Sequence, residues 1–282
     1  AVEELQALYI ELNSYVTNYF ENLDVQEEIN NKLDDMVEQG TLQEIISDYL
    51  NSKAVFGFDT VQDMQEATNL IDGSYARTLG FYEKNDGGSA LYKIREITND
   101  DVVDNMFIIE MEDNSLIAEL IIENNIVNIN KLGGKGDETT DNHDIILGAL
   151  NYIYEHTSES STVNNIDSSY ILEFNKGIYL NGSLISFNEY IDNLIIKGNG
   201  AYITSNGFKF GTKIGYNVEI DELNFYNVNK CYEFDYIDRN YQTLLFKNST
   251  FRECENIFII NRRSCMTKFE NCKSKAAIIF GT

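Results

Sequence analysis

The sequence predicts a mainly β protein with an α-helical N-terminal stalk, in which helices lead into a small β module and then into a solenoid of short stacked strands. Three observations predict it. Residues 1 to 23 carry a heptad of apolar side chains; from Val55 the pattern changes to short apolar runs between turn residues; and beyond Ile171 strands of about four to six residues recur with no long helical stretch.

The helical segment comes first. Val2, Tyr9, Val16 and Leu23 recur at one heptad position and Leu5, Leu12 and Tyr19 at the other, the 3-4 alternation of a coiled-coil seam. Asp24 with Glu27 forms a capping-box-like start for a second helix along Val25, Ile29, Leu33 and Val37, which Gly40 ends. Thr41 with Glu44 repeats that signature and opens a third helix to about Asn51. Residues 1 to 50 hold twelve Asp or Glu against Lys32 alone, a net −11 of the chain's −25. Such a face is either solvated or docks on a basic surface.

A helix from Phe58 to about Asn69 is expected next, then a β-rich module over residues 54–129. Asp72-Gly73 and Asn85-Asp86-Gly87-Gly88 are turn signals flanking strands at Tyr75 to Tyr82 and Ala90 to Ile94. Further strands are expected at Met106 to Met111, Leu116 to Ile122 and Ile126 to Ile129. Residues 130–282 then open with Gly136-Asp137-Glu138-Thr139-Thr140-Asp141, where Thr140 and Asp141 suit the cap of a helix through Ile145, Ile146, Leu150 and Ile153. That helix would cover the end of a solenoid, where bare sheet edges would otherwise lie open.

The Gly136–Asp141 motif, Phe174-Asn175-Lys176-Gly177-Ile178-Tyr179-Leu180 and Leu194-Ile195-Ile196-Lys197-Gly198-Asn199-Gly200-Ala201 together resemble the start of the right-handed parallel β-helix of pectate-lyase-like phage tail spikes and pre-neck appendages. Arg77-Thr78-Leu79-Gly80-Phe81-Tyr82 with Asn85-Asp86-Gly87-Gly88-Ser89-Ala90-Leu91-Tyr92 is similar to a module that precedes the β-helix in spikes of Firmicutes phages. The chain departs from the family motif at Glu138 and at Asn142-His143. The resemblance implies a virion protein, attached to the particle through residues 1–53 by other virion proteins, forming a homotrimer, and recognising a host cell-wall glycopolymer such as polysaccharide or teichoic acid. Because family members carry more coils, it also implies chain beyond Thr282. The alternatives are a non-catalytic structural fibre or receptor-binding protein, and a free-standing polysaccharide lyase or hydrolase.

Internal alignment places Phe225, Phe251 and Phe269 in register, so that Phe is expected over Phe and Val228 over Cys254 over Cys272. The four cysteines, Cys231, Cys254, Cys265 and Cys272, form no CxxC pair, which leaves buried apolar thiols, a disulfide or a reactive thiol. Proline is absent, where ordinary usage would supply about 14. Pro cannot donate to a ladder, yet turns welcome it, so this reads as compositional bias.

A net charge of −25 argues against nucleic acid and anionic membrane surfaces, and no apolar run approaches a bilayer span. No cofactor fingerprint and no metal site are expected, since Asp137 to Asp144 lacks the twelve-residue calcium pattern. Glycan cleavage needs paired carboxylates. The pairs available are Glu233 with Asp235, Asp235 with Asp238, and Glu253 with Glu255, the first and last at the spacing that shares a strand face. None identifies a catalytic residue in a chain with 46 acids, and any depolymerase site is expected outside these residues. His143 and His156 stand in no Ser or Cys nucleophile context, so no triad is expected.

Overall fold

The computed structural model describes residues 2–22, 25–51, 54–112, 114–158, 170–187, 189, 191, 193–210, 217–234, 242–260 and 265–274. It divides into two compact units, residues 1–54 and 55–282.

The first unit contains α1 (Val2–Asn22), α2 (Val25–Glu38) and α3 (Thr41–Asn51). Gly40 turns the chain between the last two with φ +75°, a left-handed conformation that costs glycine little. Its carbonyl accepts the Glu44 N–H, so Gly40 rather than Thr41 stands at the cap and Thr41 is already helical. Asp24 lies outside the described residues. Leu5, Tyr9 and Leu12 of the expected seam are 74%, 68% and 62% exposed.

The second unit opens with β1 (Val55–Phe58), α4 (Val61–Gln65), β2 (Tyr75–Thr78), β3 (Leu91–Glu96), β4 (Ile108–Glu110) and β5 (Leu116–Leu120). They form a five-stranded sheet in the order β1-β2-β3-β5-β4, with β1 parallel to β2 and the remaining pairs antiparallel. The helix is shorter than expected because Phe58 belongs to β1 and Thr60 caps α4 in a full capping box with Asp63. Its side of the module is closed by Val61 and Met64, both buried in one core with the sheet residues Ala76, Tyr92 and Ile94.

The chain then winds through successive coils. The first consists of β6 (Ile126–Asn128) and β7 (Asp137–Asp141); α5 (His143–Ser158) follows; and three full coils are β8 (Tyr170–Glu173), β9 (Ile178–Leu180), β10 (Ile185–Phe187); β11 (Asn193–Lys197), β12 (Tyr202–Ser205), β13 (Phe208–Phe210); and β14 (Asn217–Asp221), β15 (Asn224–Val228), β16 (Lys230–Phe234). A fourth full coil is β17 (Gln242–Lys247), β18 (Thr250–Arg252), β19 (Asn256–Ile260), and β20 (Cys265–Glu270) with β21 (Lys273–Ser274) begins the next. Each strand pairs in parallel with its equivalent one coil away, giving sheets of order β6-β8-β11-β14-β17-β20, β7-β9-β12-β15-β18-β21 and β10-β13-β16-β19. We call these the first, second and third faces. The column Ile171, Ile195, Glu219, Leu245, Lys268 follows one position down the first face at steps of 24, 24, 26 and 23 residues.

The interior is built from stacked like residues: Leu172, Ile196, Ile220 and Phe246 on the first face, and Tyr179, Ile203, Phe225 and Phe251 on the second, all buried. Phe225 lies on Phe251 as expected, but Phe269 stacks on Phe246, with centroids 5.0 Å apart and planes 8° apart, so it belongs to the first face. Cys272 is displaced with it. Its Sγ donates to the Phe246 and Glu270 carbonyls after β20, whereas Cys254 occupies the corner after β18, against the Phe225 and Arg252 carbonyls. Cys231, Cys254 and Cys272 are free thiols.

Helix α5 covers the end of this stack with the stripe Ile146, Ala149, Leu150 and Ile153, which joins the same core as Leu172, Phe174 and Phe187. Thr140 and Asp141 lie in β7, not at the helix cap; α5 begins two residues later. The module is tied to the coils by the Tyr82 hydroxyl, which donates to the Gly133 carbonyl at 2.9 Å, and by Asn175 Nδ2, which donates to the Gly87 carbonyl at 3.0 Å. No helix among the described residues is long and apolar enough to cross a membrane.

Candidate functional site

In a β-helix the inward side chains are committed to the core, so recognition falls to the outward columns. On the second face the column that alternates with the core residues runs Asp141, Leu180, Thr204, Tyr226, Arg252, with Thr204 buried and Leu180 half-buried. Its four steps, at about 4.8 Å per paired strand, span about 19 Å. Tyr226 is half-buried and Arg252 exposed, and the Arg252 guanidinium sits 5.4 Å from the Tyr226 ring centroid, within cation–π range. Arg252 Nε also pairs with Glu253 Oε1 at 3.1 Å, both side chains being more than half exposed. Such a pair contributes little to stability, which leaves the guanidinium donors accessible to a ligand. Beside this column stand Ile178, Tyr202 and Asn224, and Asn224 Oδ1 accepts the Thr250 N–H at 2.9 Å. Asn224 is buried, its Nδ2 donating to the Ala201 carbonyl at 3.2 Å, so the surface offers the half-buried rings of Tyr202 and Tyr226 and one guanidinium, chemistry that stacks on sugar rings and donates to hydroxyls.

The carboxylates singled out by sequence do not form a strand-face pair in the described structure. Glu253 and Glu255 lie in the turn between β18 and β19, with Glu253 at φ +55°, so the two-residue strand alternation does not apply to them. Glu233 holds its place in β16 opposite Lys209 and Ile259, whereas Asp235 and Asp238 lie outside the described residues. Asp137 is a turn former. Its carboxylate accepts the Thr139 and Thr140 N–H groups at 2.9 and 2.7 Å and the Thr140 hydroxyl at 2.8 Å, and these bonds, the Thr140 amide first, hold it well below the usual carboxylate range. Among the described residues no group of three or more His, Cys, Asp or Glu is placed to hold a metal ion.

At the α5 end of the column the structure brings together residues far apart in sequence. Ser183 Oγ lies 3.0 Å from His143 Nδ1, although no serine neighbour for His143 was expected. Asp141 Oδ1 accepts both the His143 N–H at 3.0 Å and the Gly182 N–H at 2.8 Å, which clips the corner after β9 onto the start of α5. The parallel pairing of Asp141 with Leu180 is the signal that would have found Ser183, three residues further on.

A cleft of about 520 Å³ opens between the module and α5, floored by Phe107, Tyr152 and His156, whose rings stack at 4.0 and 3.8 Å. Burial pushes the Tyr152 hydroxyl up to about 12. Three of its acids have structural employment: Arg95 bonds Asp101 through two guanidinium nitrogens at 2.6 and 2.8 Å and Glu119 through the third at 2.7 Å, and Asp104 Oδ1 accepts the amides of Met106, Phe107 and Ile108.

No protein-family model matches the chain, and no curated protein matches it. Among solved structures, the tailspike protein gp49 of Acinetobacter baumannii bacteriophage Fri1, a capsular polysaccharide depolymerase, aligns over 77% of this chain at TM-score 0.50 and 11% identity. The fold is that of a phage tailspike. This chain spans 46% of that tailspike's length. WceF of Pantoea stewartii, a glycan biofilm modifying enzyme with a tailspike-like parallel β-helix fold, aligns over 81% of this chain and 43% of its own at TM-score 0.38 and 10% identity. Tailspike protein 2 of Escherichia coli O157:H7 bacteriophage CAB120 aligns over 77% and 36% at TM-score 0.32 and 11% identity. In the tailspike fold seen here, residues 126–274 supply the stacked coils and α5 their cover.

Proposed function

We propose that this chain is part of a phage tail spike or appendage whose β-helix binds a host cell-surface polysaccharide or teichoic acid along the outer column from Asp141 to Arg252. The single observation that carries the reading is the Tyr226–Arg252 pair, an exposed cation over an aromatic ring at one end of a column about 19 Å long. That length suits a chain of several sugar units. In this reading residues 1–53 form the stalk that attaches to the virion, residues 54–129 are the connecting module, and residues 130–282 carry the recognition surface. The heptad of α1, with Leu5, Tyr9 and Leu12 exposed, favours a homotrimeric coiled coil, because three copies would bury the apolar seam that one copy leaves in water.

A second reading, a receptor-binding protein without catalysis, is favoured by the placement of Glu253 and Glu255 in a turn instead of on a common strand face. Binding of the purified chain to a panel of capsular polysaccharides and Gram-positive wall glycopolymers, followed by an assay for released reducing ends or glycerol phosphate, tests both. Binding with release supports a depolymerase, and binding without release the receptor-binding protein. Binding to no glycan contradicts the proposal.

A further inference from the structure

We propose that Ser183 and His143 form a nucleophile–base pair that hydrolyses carboxylic esters at the α5 end of the second face. Three features carry it. The Ser183 hydroxyl is 3.0 Å from His143 Nδ1, the separation a general base requires of the proton it removes. Ser183 is exposed, so an ester carbonyl can reach its Oγ, while His143 is half-buried as the first residue of a 16-residue helix. Both partners are held through the backbone by one carboxylate, Asp141, whose Oδ1 accepts the N–H of His143 and the N–H of Gly182, the residue before Ser183. Gly182 is needed for that approach, because a Cβ there would collide with the Asp141 carboxylate. Asp141 is a positioning residue. Its bond from Gly182, more than that from His143, holds its carboxyl below the ordinary range despite partial burial, so it stays anionic beside the imidazole.

The proton path closes within the same atoms. With the ring hydrogen on Nε2, Nδ1 accepts the Ser183 hydroxyl proton; once protonated, Nδ1 has the Ser183 carbonyl oxygen 3.2 Å away as an acceptor. Ser183 Oγ forms a bond to the ester carbonyl carbon as its proton passes to Nδ1. The ester C–O bond then breaks, and the leaving alcohol takes that proton. Water attacks the acyl-serine while Nδ1 receives a water proton, the carboxylic acid departs, and Oγ regains its hydrogen. The net reaction is ester plus water to acid plus alcohol, with no oxidant or cofactor. Because Asp141 heads the column that continues to Tyr226 and Arg252, the substrate class is an O-acyl ester on a polysaccharide lying along that column. That assignment of the alcohol rests on the proposed recognition function; the hydrolysis does not.

The test uses probes that carry no sugar, so its failure is distinct from failure of glycan recognition. The 282-residue protein is treated with a fluorophosphonate probe and with p-nitrophenyl acetate, and the modified residue is located by mass spectrometry. Expected are stoichiometric labelling at Ser183, its loss in Ser183→Ala, and a decrease of at least about 100-fold in the labelling rate in His143→Gln, the contribution ordinary for a positioned base. The Ser183→Cys variant, alkylated by iodoacetamide with and without His143→Gln, reads the same base by another chemistry and separates its loss from misfolding. An unlabelled Ser183, or an alkylation rate of the Ser183→Cys variant that is the same with and without His143, overturns the proposal and leaves the pair as a clip between β9 and α5.

Discussion

Gly136 and Gly177 meet backbone to backbone: a Cβ on Gly136 would stand 2.8 Å from the Gly177 Cα, and one on Gly177 would stand 2.7 Å from the Gly136 Cα. They come from neighbouring coils, where Ile178 N–H donates to the Gly136 carbonyl at 3.1 Å. A methyl on either would meet main chain that has no rotamer to yield. Gly136→Ala and Gly177→Ala are each expected to destabilise the second unit by about 1–3 kcal/mol, the usual cost of overpacking, and the double variant to bring no rescue. Urea midpoints for the three variants check this.

The inner aromatic columns make a second prediction. Phe225 is stacked on Phe251 at 5.3 Å and meets Tyr232 edge-on at 5.2 Å, fully buried. Phe225→Ala is expected to cost about 3–5 kcal/mol. Phe269, half-buried in β20, is expected to cost less when truncated to Ala. Denaturant unfolding of the two variants gives the order directly, and a larger loss at Phe269 would contradict the register.

Asp86 makes the module's loop acid-sensitive. Its carboxylate accepts the N–H groups of Phe81, Tyr82, Glu83 and Gly88. Burial pushes its pKa up, but these bonds outweigh it and hold the group below its ordinary value. A depressed carboxylate stabilises the fold above its unfolded pKa of about 4, and that contribution is lost as pH falls through the lower folded value. Asp86→Asn is therefore expected to lower stability at pH 7 by about 1–2 kcal/mol, discounted for solvent, and by progressively less below pH 4. Thermal unfolding against pH checks the convergence of the two curves.

For the helical unit, light scattering after size exclusion is expected to return three times 32.3 kDa, about 97 kDa. Leu5→Asp with Leu12→Asp is expected to reduce that mass to a single copy, because two charges on each chain would enter the seam. An unchanged mass in the variant would remove α1 from the interface.

Features set by neighbouring residues were legible in the sequence: the turn at Asn85 to Gly88 between β2 and β3, the stop at Gly40, and the helical stripe of α5. Features set by coil register were not. Thr267-Lys268-Phe269-Glu270-Asn271-Cys272 has Phe three residues before Cys, as does the segment ending at Cys254, so local pattern alone assigned it to the wrong face; the pairing of Phe246 with Phe269 decides otherwise. Ser183 was missed for the same reason, since 40 residues and the whole of α5 separate it from His143. Asp141, read as a helix cap, works instead as an acceptor for two backbone segments, a role visible only once β7 and β9 are paired.

The most direct test of recognition along the second face is binding of the intact chain to immobilised polysaccharide from susceptible cells, compared with Tyr226→Ala and Arg252→Ala. Loss of the ring and the guanidinium is expected to weaken binding by about 1–2 kcal/mol each, roughly 5- to 30-fold, with the fold unchanged by circular dichroism. Binding equal to that of the unaltered chain in both variants would contradict the account and move recognition off this face.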